Sequence, residues 1–168
     1  ALKKKQQAEK VRNRIAVLGS IAAGAGVLSL IIAVVITSAT PPVDPSTIEV
    51  EGVQEIEALQ ATHVQTAVEY DQTPPAGGPH NPAWLNCGIY EEPVPNENAV
   101  HSLEHGAVWV TYDPAQLSEE EIGQLRGSVP STYMIVSPFD GLDAPVYASA
   151  WGYQIALDGV DDPRLDDF

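Results

Sequence analysis

Four polar side chains and one thiol carry most of the chemistry this sequence offers. His80 closes the segment TPPAGGPH, Cys87 follows in WLNCGIY, and His101, Glu104 and His105 fall within AVHSLEHG. His101 and His105 are spaced i, i+4, so a helix would point both imidazoles to one side. With Glu104 they spell H-x-x-E-H, the inverse of the zincin signature, in which two histidines hold zinc and the glutamate activates water. That reading needs a longer helix and a third ligand. Gly106 follows at once, and no downstream carboxylate stands out. A metal site without hydrolysis asks for less: His80, Cys87, His101 and His105 supply imidazole and thiolate donors that suit zinc or copper, with Glu104 orienting the imidazoles. Met134 would complete a blue-copper set, but the tight clustering of those ligands near one loop is missing. A purely structural alternative has His80, His101 and Glu104 tying a Pro/Gly-rich loop to the core, since such a loop cannot satisfy its backbone by pairing. As the sole cysteine, Cys87 excludes an intrachain disulfide and is expected to be buried or ligated.

The elements that would position these groups can be read around them. HVQTAVEY, residues 63–70, alternates like a strand. Residues 71–95 are dense in proline and glycine and are expected to form a long ordered loop. NENAVHSLEHG reads as a short helix capped by Asn96 or Asn98 and ended by Gly106. AVWVTY is a core strand, and LSEEEIGQLRG opens a helix through a Ser118–Glu121 capping box. TYMIVSPF is a further strand, and VYASAWGYQIAL one or two more. Together they predict a small α+β domain over residues 48–168, with a short sheet, short helices and an acidic, surface-lying C-terminal stretch.

Charge is segregated along the 168 residues. The formal net charge is −15. Residues 1–14 carry six Lys/Arg against Glu9, a net +5, whereas the rest carries two bases against twenty-two acids, a net −20. Between them, residues 15–36 (IAVLGSIAAGAGVLSLIIAVVI) contain no charge, so the near-zero mean hydropathy averages unlike parts. At about 1.5 Å per residue such a helix crosses a hydrocarbon core of ~30 Å. The expectation is a single transmembrane helix, an uncleaved signal anchor with its basic head cytoplasmic and touching anionic lipid. Residues 37–47, rich in Pro, Ser and Thr, are then a spacer to an extracytoplasmic domain. Small residues recur four apart in the span, as Gly19 with Ala23 and Ser20 with Gly24, a spacing suited to close helix packing within an integral membrane complex. The acidic outer domain argues against nucleic-acid binding.

TPPAGGPHNPAWLNCGIYEEPVP, AVHSLEHGAVWVTYDP, SPFDGLDAPVYASAWG and DDPRLDDF together resemble an uncharacterised bacterial domain family marked by a PP-x-GGPH loop and an HSLEHG motif. The resemblance covers about residues 60–168. Its members are often single-span membrane proteins, many from actinobacteria, and it implies no activity. In that setting it implies an accessory subunit on a larger membrane assembly, with a respiratory cytochrome oxidase supercomplex as the associated partner. The competing expectation is an extracytoplasmic zinc- or copper-binding protein or metalloenzyme that uses His80, Cys87, His101 and His105.

Overall fold

The computed structural model describes Leu18, residues 49–57, 59–130 and 132–168. The basic head (1–14), the expected membrane helix (15–36, save Leu18) and the linker (37–47) lie outside the described residues. Among the described residues, no helix is long and apolar enough to cross a membrane.

Six strands form one mixed sheet: β1 (Gln54–Glu55), β2 (Gly88–Ile89), β3 (Val108–Tyr112), β4 (Met134–Pro138), β5 (Val146–Ala150) and β6 (Tyr153–Leu157), in the order β1-β6-β5-β3-β4-β2. With three short helices, α1 (Asn96–Glu104), α2 (Glu119–Ser128) and α3 (Arg164–Asp167), this is the α+β domain expected from the sequence. Strands β3 and β4 run parallel, Val110 opposite Val136, and α2 makes the crossover between them. Strand β5 pairs antiparallel with β3 on one side and with β6 on the other, turning at Trp151-Gly152.

Both faces of the central strands are covered, which explains why VWVTY shows no polar alternation. Successive residues point to opposite faces. Val110, Tyr112 and Val136 join Ile122 and Leu125 of α2 in one cluster, while Trp109 and Ile135 join Ala99 and Leu103 of α1 in another. Fully burying a leucine such as Leu103 or Leu125 contributes about 1.5–3 kcal/mol. The capping box on α2 is present: the Glu121 amide donates to Ser118 Oγ, and the Ser118 amide donates to Glu121 Oε2. On α1 neither asparagine caps. Pro95 holds the N-cap position instead, and Gly106, at φ +86°, follows the helix end.

Residues 63–70 are not the strand that their alternation predicts. Only His63 pairs, in an isolated parallel bridge with His80. The reason is where the backbone partners lie. The Val64 amide donates to the His80 carbonyl and the Val68 amide to Glu97 Oε1, so loop and side chain take the place of a neighbouring strand.

Candidate metal centre

The Pro/Gly loop is an internal part of the domain. Pro74 through Gly78 are buried, and His80 is fully buried. The C-terminal hairpin fastens the loop: Gln154 Nε2 donates to the Pro74 carbonyl (2.8 Å) and the Gly152 amide to the Ala76 carbonyl (2.8 Å). Tyr70 adds its hydroxyl to the Pro79 carbonyl, and burial pushes its pKa up to about 12, so it stays a donor at any ordinary pH. Gly77 sits at φ +147°, where a Cβ would lie 2.4 Å from Leu59 Cδ1.

Helix α1 holds the following segment with side chains, Ser102 and Asn98, which the sequence did not single out for this. Ser102 Oγ donates to the Leu85 carbonyl and accepts from its amide, while Asn98 Nδ2 donates to the Ala83 carbonyl. This lays His80 and the segment around Asn81 beside the inner face of the helix, where His101 is buried.

Three imidazoles and a carboxylate meet there. His63, His80, His101 and Glu104 each present a donor atom within 4.8 Å of all the others. The ring centroids of the three histidines stand 4.9 Å apart in every pair. His80 donates Nδ1–H to the Gly78 carbonyl (2.8 Å) and places Nε2 3.2 Å from Glu104 Oε2. His101 donates Nδ1–H to the Asn81 carbonyl (2.6 Å). A carbonyl oxygen only accepts, so both contacts fix a proton on Nδ1 and leave Nε2 as the nitrogen that carries the lone pair of each ring when it is neutral. Metal-binding histidines are commonly oriented in this way, by a backbone carbonyl on the far nitrogen. Burial lowers the pKa of His101, the neighbouring His80, His105 and His63 lower it further, and the Asn81 hydrogen bond opposes them; the net effect favours the neutral ring.

The mouth of the cluster is polar and open. The side chain of His63 is 51% exposed and that of Glu104 30%, against 0% for His80, so solvent reaches the group from the His63 side. The Trp151 ring meets His80 edge-on at 5.5 Å and closes the inner side.

Of the residues singled out in the sequence, His80 and His101 lie in this cluster, and the Glu104 carboxylate is itself among the converging donors. His105 stands beside it, with Nε2 2.9 Å from His101 Nε2. Cys87 is exposed and outside the group; with Trp84, Leu85, Ser102, His105 and Tyr133 it lines a separate cavity of about 350 Å³. His63 carried no spacing signal, lying seventeen residues before His80 in an apparent strand. Its being the only remaining histidine was the sole hint.

A family model described as "Protein of unknown function (DUF3105)" matches residues 63–168, a stretch that begins at His63 and includes every residue of the cluster. No curated protein and no solved structure matches the chain.

Proposed function

We propose that this chain, which belongs to the DUF3105 family of unknown function, binds a divalent transition-metal ion through His63, His80, His101 and Glu104. One observation carries the reading. With Nδ1–H of His80 committed to Gly78, a neutral His80 turns the lone pair of Nε2 toward a carboxylate oxygen at 3.2 Å, an arrangement that needs a proton or a cation between them. His101 offers a second nitrogen fixed in the same tautomer, and His63 a third near the surface. Around a tetrahedral ion with bonds of about 2.0–2.2 Å the donors would stand about 3.3–3.6 Å apart, so those at the 4.8 Å limit would close by more than about 1 Å, a movement the exposed His63 and Glu104 side chains can make. Nitrogen and oxygen donors without sulfur suit Zn²⁺ or Cu²⁺ better than Cu⁺. The acidic body of the chain raises the local concentration of cations.

Elemental analysis of the full chain, purified in detergent, tests this. About one equivalent of zinc or copper should be present in the wild type and absent after combined His80→Ala and His101→Ala substitution. A wild-type protein that takes up neither metal overturns the reading.

A membrane-accessory role is the second reading, supported by the charge-free run at residues 15–36 between a basic head and an acidic body. In this reading the head is cytoplasmic on anionic lipid, the domain extracytoplasmic, and the span packs in a larger complex such as a respiratory oxidase assembly. Trp84 and Tyr133, 62% and 67% exposed beside one cavity, add an aromatic contact surface. Replacing Gly24 with Leu should weaken co-purification of that complex, whereas His101→Ala should not. Equal recovery with Gly24→Leu would remove the packing role given to the span.

A further inference from the structure

His105 is the histidine the metal reading leaves unused, and its position beside His101 gives it a definite part. Nδ1–H of His101 is committed to Asn81, so its Nε2 carries a lone pair and no proton. The 2.9 Å contact between the two Nε2 atoms is therefore a hydrogen bond donated by His105. That lone pair is also the one a cation must take if His101 is to ligate it. A single lone pair cannot serve both.

The geometry points to His105 as a competitor for the metal-binding lone pair of His101, and to its release as the link between metal occupancy and the neighbouring cavity. The inference rests on the metal reading above. His105 is exposed and flanks the C-terminal end of α1, where its ring stacks on His101 at 4.8 Å and 20°. It does not belong to the group of four whose donors converge. On its other side it lines the cavity of about 350 Å³ and meets the edge of Trp84 at 5.8 Å. When a cation occupies His101, the N–H of His105 loses its acceptor and becomes a free donor in that cavity. The cavity thus presents a different polar group in the metal-free and metal-bound protein, and a molecule with a hydrogen-bond acceptor would find its partner only in the second.

The test is the zinc affinity of the full chain at a fixed pH where the imidazoles are neutral, in three forms. His105→Ala removes the competing donor and should tighten zinc binding about threefold to tenfold, the range set by the net worth of one hydrogen bond. His105→Gln keeps an N–H and should return part of the way toward wild type. Because His105 is exposed at a helix end, both variants should keep the far-ultraviolet circular dichroism of the parent. If zinc binds the wild type but His105→Ala weakens it, His105 is a ligand and the inference falls while the metal reading stands. If zinc does not bind the wild type, the metal reading falls and takes this inference with it.

Discussion

His80 Nε2 and Glu104 Oε2 lie 3.2 Å apart, joined across 24 residues of sequence by a buried imidazole and a half-exposed carboxylate. The loop holding His80 has no strand ladder of its own, and Glu104 is the last residue of its helix, so neither element alone fixes the distance. The pair is set by what binds the loop to the sheet and the helix to the loop.

Ligand substitutions should separate the donors. His80→Ala or His101→Ala should lower zinc affinity by more than about 100-fold, and Glu104→Gln by about 10- to 100-fold. Cys87→Ser should leave it unchanged, because Cys87 lies outside the converging group. Competition against a chromophoric chelator measures all four. An effect of Cys87→Ser equal to that of His80→Ala would restore the thiolate as a ligand.

Metal should also stabilise the fold. Free zinc at 100 times its Kd adds about 2.7 kcal/mol if it binds only the native state, and excess chelator should remove that increment. Thermal melts with zinc, with chelator, and with zinc on the His80→Ala variant check this. A zinc-induced rise in Tm that persists in the variant would place the binding elsewhere.

Gly77→Ala should cost about 1–3 kcal/mol through crowding and backbone strain. The Leu59 side chain can swing away from the new Cβ, but the φ of +147° remains unfavourable for alanine. Since His80 lies on the same loop, zinc affinity should fall with stability. Denaturant titration and zinc competition on one preparation would reveal a loop that yields without disturbing the site.

Ser118→Ala serves as the counterpart. It removes the cap of α2, which covers the sheet face opposite α1, and should cost about 1 kcal/mol. Zinc affinity should stay at the wild-type value. A loss there would mean that the site responds to global stability rather than to its own loop.

Acid should loosen the C-terminal helix through Asp162. The Arg164 side chain, followed by the amides of Asp158 and Arg164, holds the Asp162 carboxyl well below the usual carboxylate range. A depressed folded-state pKa means that the contribution is complete above the unfolded pKa and is lost as pH falls below it. In wild type stability should decline on acidification below about pH 4, and Asp162→Asn should flatten that part of the profile. Urea midpoints between neutral pH and pH 3 would show it; an unchanged slope in the variant would move the acid response to another carboxylate.

Much of the fold was legible in the sequence, and for stated reasons. Ser118 and Glu121 marked α2 because a capping box is a local device, and Gly106 marked the end of α1 because a positive φ is local too. AVWVTY read as a core strand and TYMIVSPF as a strand because, with both faces covered, their central residues are mostly apolar. The site was only half legible. His101 and Glu104 share one helix, and His80 belongs to a conspicuous loop. His63 is brought in by a single backbone bridge, which leaves no periodicity behind. Cys87 looked like a ligand from proximity along the chain, yet the loop between it and His80 carries it to a different cavity.

The clasp between Gln154 and the Pro74 carbonyl spans 80 residues, and the bond from Gly152 to Ala76 nearly as many. During synthesis the histidine-bearing loop therefore leaves the ribosome long before the hairpin that secures it. Until β6 arrives the loop lacks both of these bonds to the hairpin, and a nascent chain would meet passing cations with that loop still unfastened. On the metal reading proposed above, loading would then fall to a chain whose hairpin is already in place, and a ribosome stalled before β6 would display every proposed donor before that clasp exists.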